Sequence, residues 1–521
     1  MNPLQGLQYG FGIALTPENL IVALAGSLLG TALAVLPGMG PTLIIALLLA
    51  PTAGLPPETA LIMLGAVYYG CQYGASITAI LVNVPAEAQS VVMGYDGHQM
   101  ALKGRAGKAL SASALGSFMG STIGLIGLLL LAIPLSKAAL TFGPPQFCGI
   151  AVVGLVLLLR ISTLPVRKGI VCMLFGLGLT TIGLDPITGQ PRLTFGIQPL
   201  GLGISVVPVV MGLIGFAGLL EMIIRPSGAM AVKSPSFRSL FPSRSEWGEV
   251  VASGFRNSPL GFILGMLPGP TVTIATFVAY RFEQLLPHRK GRVKVGEGAI
   301  RAVAGPKAAD DAAVSGNLVP LLALGIPFSP VTAVLFAGLV LHGVEPGPLF
   351  ISAHPNIFWS LIAAMVIGNV ALLVLNFPLV GLWTWLVRIP QWLLCSAIIV
   401  LMLIGAFGLR NSLVDVYVMV GMGVLGYAMN RWGFDRTLVI LGVVLGTVIE
   451  DNMREALQAS VGNVTTFVSG PISGTLTAVL VLLIFWPLLR RLLMHRVRRP
   501  AAVSASGDVA ASVEEPDLRG K

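Results

Sequence analysis

The chain has 521 residues, of which 55% are hydrophobic and only 10% charged, and its mean hydropathy is +0.87. Soluble domains carry about 25% charged residues, so this composition excludes a soluble globular class and indicates a membrane protein with many crossings. The net charge of +10 does not indicate nucleic acid, because the basic residues lie in loops and the tail between apolar spans, where they report topology.

Residues 1–102 contain no Lys or Arg, and Lys103, Arg105 and Lys108 mark the first cytoplasmic contact. No basic region precedes the first apolar run, so the first span is expected to insert and stay. Apolar runs at 61–82, 109–133, 149–159, 202–224 and 473–489 mark spans, and a hydrocarbon core of about 30 Å leads to an expectation of roughly 10–12 crossings. Arg160, Arg167, Lys168 and the polar stretch 225–244 read as cytoplasmic, whereas 185–191 reads as an outside turn. A second basic loop runs from His288 to Lys294, and no Lys or Arg occurs between Lys307 and Arg388. The run from Arg490 to Arg499 anchors the last helix on the cytoplasmic side. Cys71, Cys148, Cys172 and Cys395 stand singly in apolar segments, with no zinc spacing and no disulfide framework.

One phrase occurs twice. Ser27-x-Leu29-Gly30 followed by Leu36-Pro37-Gly38 and Pro41-Thr42 returns as Ser258-x-Leu260-Gly261 followed by Leu267-Pro268-Gly269 and Pro270-Thr271. Both copies interrupt apolar stretches, and paired helix breaks in two halves point to a transporter's binding site. Glu18 and Glu58 flank the first copy and basic stretches flank the second, so the first is expected to dip in from outside and the second from the cytoplasm. A second shared landmark is an apolar span ending in proline, Ala79 to Pro85 and Leu321 to Pro327. The two landmarks are 48 residues apart in the first half (85 − 37) and 59 in the second (327 − 268). An insertion at 287–297 accounts for the difference, in a loop where added residues are tolerated.

The expected fold is therefore an all-α polytopic membrane protein with two inverted repeats, each containing a discontinuous, re-entrant hairpin. Its segments are an amino-terminal piece (1–17), a first repeat (18–133) with a hairpin at 36–42, and connecting spans (134–225). A cytoplasmic loop (226–248) leads to a second repeat (249–378) with a hairpin at 267–271. Carboxy-terminal spans (379–494) and a cytoplasmic disordered tail (495–521) complete the chain.

A break within a span frees backbone donors and carbonyls, which must line protein or a wet cavity. In Gly38-Met39-Gly40-Pro41-Thr42 the glycines permit tight turning, proline suits a first helical turn, and the threonine hydroxyl sits among unpaired amides. Such a helix end favours an anion, and carboxylates can be held there by partial positive charge without a buried arginine. Gly38, Gly40, Pro41, Thr42, Gly269, Pro270 and Thr271 are the candidate tip residues, with Ser76, Asn83, Asn317 and Ser329 as candidate side-chain contacts. Thr78, Thr332, Asp310 and Asp311 are candidates for ion coupling. Each Ser or Thr taken singly reads more readily as bonding its own backbone or packing against a neighbour, and only convergence on the repeat axis counts toward a site. Glu87, Asp96, His98, Glu221, Glu345 and Asp415 are the other ionisable groups in apolar context, Asp96, His98, Asp310 and Asp311 lying near basic loops as interfacial groups would. No metal site and no cofactor is expected beyond a coupling ion, sodium or proton. HExxH, a GxSxG elbow and a complete P-loop are absent from the sequence, which disfavours an enzyme. A stand-alone carrier or a channel stays open as the alternative.

These stretches resemble the large membrane subunit of the tripartite tricarboxylate transporter family, the TctA type. The resemblance runs from Gly26 to about Pro487. It rests on Leu36 to Thr42, on Tyr68-Tyr-Gly-Cys-Gln-Tyr-Gly74 running to Asn83-Val-Pro85, on Tyr95-Asp-Gly97 with Lys103-Gly-Arg-Ala-Gly107, and on Leu321 to Pro327. It implies a secondary transporter of a bacterial inner membrane, driven by a sodium or proton gradient. Its implied partners are a periplasmic solute-binding protein, which delivers a carboxylate, and a small membrane subunit. The chain departs from the family pattern in its shorter second phrase and in Ala86 and Phe328, where glycine is usual. It departs again at Lys307, Asp310 and Asp311, where a Glu and an Asn pair are usual.

Overall fold

The computed structural model describes residues 3–36, 39–83, 87–162, 164–185, 188–224, 237–287, 292–386 and 391–497. The expected hairpin residues Pro37 and Gly38, the landmark Pro85, residues 226–236 of the 226–248 loop and the tail from 498 lie outside them.

The chain is almost wholly helical. In the amino-terminal half, α1 (Pro3–Ala14), α2 (Pro17–Ala34), α3 (Pro41–Thr52), α4 (Pro57–Val82), α5 (Val91–Leu102) and α6 (Ala106–Ala139) lead to α7 (Pro144–Ile161) and α8 (Val166–Thr180). A two-residue ladder joins β1 (Gly183–Leu184) to β2 (Pro191–Arg192), antiparallel, with Gly183 opposite Arg192. Next come α9 (Val206–Val210) and α10 (Ala217–Ile224), joined without a break by a π-helical turn, Met211–Phe216. The second half holds α11 (Arg244–Gly265), α12 (Thr271–Leu285), α13 (Arg301–Leu324), α14 (Pro330–Leu341), α15 (Phe350–Ala353) and α16 (Pro355–Leu386). It ends in α17 (Gln391–Arg410), α18 (Leu413–Arg431), α19 (Arg436–Ala459) and α20 (Pro471–Val497). Among the described residues, five helical stretches are long and apolar enough to cross a membrane, Pro17–Ala34, Ala106–Ala139, Val206–Ile224, Pro355–Leu375 and Leu413–Arg431, and five shorter apolar helices accompany them. The protein is a multi-pass, all-α membrane protein.

The order of elements occurs twice. Helices α2 to α6 run broken helix, short helix, long helix, second break, short helix, very long helix, and α11, α12, α13, α14 and α16 repeat that order. Helices α5 and α14 have 12 residues each, and α6 and α16 have 34 and 32. Both long central helices end on a left-handed residue, Asn83 (φ 55°) after α4 and Gly325 (φ 73°) after α13. Residues 286–300 separate α12 from α13, where only 53–56 separate α3 from α4, so the extra residues of the second half lie in the basic loop, as the spacing predicts. Packing follows the same duplication: α2 lies on α4 as α11 lies on α13, and each central helix also packs on the other half, α4 on α16 and α13 on α6.

Polar contacts join loop segments that lie far apart in sequence. Lys103 reaches the Glu297 carbonyl (2.6 Å) and Lys108 reaches Glu246 (2.9 Å), whereas Thr59 bonds Asn19 (2.8 Å) and Arg192 bonds Glu450 (2.7 Å).

Small residues set the centre. Gly261 and Gly265 of α11 lie against the Ala309 and Ala313 backbones, and Gly116 and Gly120 of α6 against Ala304 and Ala308, so tightly that a Cβ at any of the four would overlap a carbonyl. Close backbone approach of this kind substitutes for hydrophobic drive in lipid. Helix α13 is consequently buried on all sides from Arg301 to Ala323, an environment in which charged side chains need partners inside the protein.

Candidate functional site

Each half brings its two breaks together. In the first half, α3 starts at Pro41, with Gly40 extended before it (φ −83°, ψ 165°). The proline costs nothing there, since its missing N–H belongs to a turn without intrahelical acceptors. The Glu87 side chain, from the break after α4, lies against Gly40 and Thr42 at the start of α3, and Gln89 Nε2 donates to its Oε2 at 2.6 Å. A Cβ at Gly40 would overlap the Glu87 side chain, which would then have to move off this contact. A carboxyl group from the chain itself thus lies at the amino-terminal end of α3, where the helix dipole and free amides favour negative charge.

In the second half the tip is joined to the equivalent break by backbone: Gly269 (φ 115°) donates its N–H to the Phe328 carbonyl at 3.1 Å. Thr271 donates its hydroxyl to Asn317 Oδ1 at 3.3 Å, and both are buried. Pro270 lies exposed immediately before α12. Ser329 and Thr332 form a reciprocal cap at the start of α14, with the Ser329 N–H donating to Thr332 Oγ1 at 3.0 Å and the two hydroxyls 2.9 Å apart.

Other sequence candidates are placed elsewhere. Ser76 donates to the Tyr73 carbonyl (2.7 Å) and accepts from Ser113 of α6 (2.9 Å), and Thr78 turns back onto Ala75, so both are spent on helix packing. Asn83 is exposed, in the left-handed conformation that ends α4. Gly38 lies outside the described residues.

A cavity of about 510 Å³ opens on the first tip, lined by Gly40, Thr42 and Glu87, by Pro330 at the start of α14, and by Glu221, Asn430, Asp435 and Arg436. Arg436 is held by Glu221 at 3.3 Å, which Asn430 also contacts at 2.7 Å. Sequence reading noted Glu87 and Glu221 only as ionisable groups and missed Arg436. Glu87 stands two residues past the landmark proline, which is a usable signal. Arg436 carries none, because it reaches the cavity only through the packing of α18 and α19.

Asp310 and Asp311 are not exposed at a loop but buried, 3% and 1% accessible, midway along α13. Lys307 lies beneath them with its ammonium 2.7 Å from Asp310 and 2.9 Å from Asp311. Lys307, Asp310 and Asp311 thus form one ion-paired cluster, beside which Ser117 of α6 also lies. Asp96 is buried as well: it accepts from the Tyr280 hydroxyl (2.8 Å) and from the amides of Gly296, Gly298 and Ala299, just after the basic loop. No group of three or more His, Cys, Asp or Glu side chains able to hold a metal occurs among the described residues.

A family model described as the tripartite tricarboxylate transporter TctA family matches residues 20–441. A protein of Agrobacterium vitis, described as an uncharacterized 52.8 kDa protein in the TAR-I ttuC' 3'region, is 40% identical over 479 residues, covering 92% of this chain and 95% of that one. A second from the same organism, described as an uncharacterized protein in the TAR-II ttuC' 3'region, is 41% identical over 216 residues, 42% of this chain and 88% of its own. No solved structure matches.

Proposed function

The chain belongs to the tripartite tricarboxylate transporter TctA family, and from that premise we propose that it is the large membrane subunit of a binding-protein-dependent secondary transporter, not an enzyme. It imports organic di- or tricarboxylates across a bacterial inner membrane, driven by a sodium or proton gradient. Its partners are a periplasmic solute-binding protein and a small membrane subunit, and its carboxy terminus is cytoplasmic.

One observation carries this reading: the cavity of about 510 Å³ reaches the helix break at Gly40 and Thr42. A broken helix inside a membrane is stable only where its free backbone groups face protein or a wet cavity, and here they face both. The cavity's other walls, at Leu164, Glu221 and 430–437, adjoin the basic stretches 160–168 and 225–244, which supports an opening toward the cytoplasm. The duplicated element order supports two inverted repeats, whose tips at 36–42 and 267–271 approach one site from opposite faces. Gly40 and Thr42 line the cavity, and a carboxylate substrate would take the place of Glu87 at the amino-terminal end of α3, where the helix dipole favours an anion over a cation; Gly269, Thr271, Asn317 and Ser329 build the second tip.

Proteoliposomes holding this subunit with and without its two partners, assayed for gradient-driven citrate uptake, test the reading. Accumulation is expected only with the binding protein present. Equal uptake by the subunit alone overturns the tripartite assignment.

A further inference from the structure

Helix α13 buries an ammonium in the middle of the protein. Lys307 is 0% accessible, and three oxygens surround its Nζ: the Gln72 carbonyl of α4 at 3.0 Å, Asp310 Oδ2 at 2.7 Å and Asp311 Oδ2 at 2.9 Å. Taking such ions out of water costs several kcal/mol each, and apolar residues of similar volume usually stabilise a fold as well or better. Stability alone does not explain the cluster.

Its composition is that of a cation site with the cation supplied by the chain: backbone carbonyl and carboxylate oxygens, the ligands that suit a hard ion. Two carboxylates against one ammonium leave a formal charge of −1. Asp310 Oδ1 is buried and has no hydrogen-bond partner among the described residues. That oxygen is free to take a proton, and doing so makes the cluster neutral.

Among the described residues, the other cations toward the start of α13, Arg256 and Arg301, are paired with Glu283. Helix α4 presents Tyr68 and Tyr69 toward the carboxylates, Glu87 faces Asp310 from beyond the end of α4, and α6 presents Ser117. On the remaining faces α11 presents Gly261 and Gly265, and α12 presents Ala275 and Ala279. The cluster lies on the helix that also carries Asn317, the partner of Thr271 at the second tip.

We propose that Lys307 is a tethered cation, filling an oxygen-lined site of the kind a sodium ion occupies, so that the coupling ion of this chain is the proton, carried on the Asp310–Asp311 pair. A proton entering from outside forms an O–H bond on one carboxylate, and its release to the cytoplasm breaks that bond and restores the charge of −1. The coupling half of this inference rests on the transporter reading above. The tethered-cation half does not.

The test uses the full chain purified in detergent, with its melting temperature followed as sodium chloride replaces choline chloride at constant ionic strength. Wild type is expected to show no sodium-specific shift. Lys307→Ala is expected to melt at temperatures that climb and saturate with sodium. Because that variant leaves two unneutralised carboxylates and can misfold, Lys307→Ala with Asp310→Asn, which keeps the formal charge of −1, is measured beside it with the same expectation. A sodium-specific shift in wild type, or variants indifferent to sodium, overturns the proposal. In proteoliposomes, wild-type citrate uptake is expected to survive complete replacement of sodium by choline, and loss of uptake on that replacement overturns the proton assignment. Absence of uptake under every gradient sinks the transporter reading instead, and leaves the sodium response of the variants standing.

Discussion

Tyr69 and Ser315 meet hydroxyl to hydroxyl at 2.8 Å, where the central helix of the first half, α4, passes the central helix of the second, α13. Both side chains are buried. A buried hydrogen bond of this kind contributes about 1 kcal/mol net, while an orphaned hydroxyl costs about 1–3 kcal/mol. Tyr69→Phe and Ser315→Ala are each expected to destabilise by about 1–2 kcal/mol, and the double variant by less than their sum, since neither then strands a partner. Denaturant titration of the four proteins in detergent measures this, and strictly additive effects would show that the contact contributes nothing.

Gly40 leaves no room for a methyl group beside Glu87. Gly40→Ala must therefore push the carboxylate off the α3 amino terminus or shift the tip, at the cost of about 1–3 kcal/mol typical of overpacking. If the tip forms the transport site, uptake falls about tenfold or more, on the scale of about 1.4 kcal/mol per decade. Combining Gly40→Ala with Glu87→Ser removes the overlap and is expected to recover part of the loss. No recovery in the pair would mean that the alanine acts through some other contact.

The sequence carried the outline of this fold because both of its signals are local. A glycine-proline phrase breaks a helix wherever it stands, and the Leu-Pro-Gly copies do so between α2 and α3 and between α11 and α12. Lys and Arg placement is a loop property, and Lys103 of the first basic cluster does contact the loop that carries the second, at the Glu297 carbonyl. The site is less legible because it depends on which side chains converge. Ser76 and Thr78 look like site residues by position, yet their hydroxyls are taken up by Tyr73, Ser113 and Ala75. Asp310 and Asp311 stand close in sequence to the basic loop, and only the burial of α13 between α6 and α11 shows that they face Lys307 inside the protein. Glycine and alanine at 116, 120, 261, 265, 304 and 308 made that burial possible, a pattern that composition alone does not single out from other small residues.

Asp96 fastens the inserted loop. Its carboxylate accepts from Tyr280 and from three consecutive-region amides, at 2.7 Å from both Gly298 and Ala299, and so fixes the entry to α13. Hydrogen bonds to a charged group contribute about 1.5–3 kcal/mol each when buried. Asp96→Asn places an amide donor against amide donors and is expected to release the loop locally. Limited trypsin digestion should then cut at Lys294 several-fold faster than in wild type, with other sites unchanged. Uniformly faster digestion would indicate global destabilisation instead of a local clasp.

Glu246 joins the two halves at their basic end. It sits in the first turn of α11, in the expected cytoplasmic loop, and pairs with Arg105 (2.5 Å) and Lys108 (2.9 Å) at the start of α6. Partial burial opposes its ionisation, but hydrogen bonds from Lys108 and Ser243 and the charge of Lys108 outweigh that and lower its pKa from 4.5 to about 2. A carboxyl whose pKa is lowered by folding adds stability above its unfolded value and loses it as pH falls through the folded one. The contribution is therefore complete above about pH 4.5, declines below it and is gone near pH 2. Glu246→Gln is expected to melt below wild type at pH 6, with the two curves converging as pH falls from 4.5 toward 2. The gap at pH 6 should narrow in 1 M salt, which screens partly exposed pairs. Parallel melting curves across that whole range would remove Glu246 from any part in holding α6 to α11.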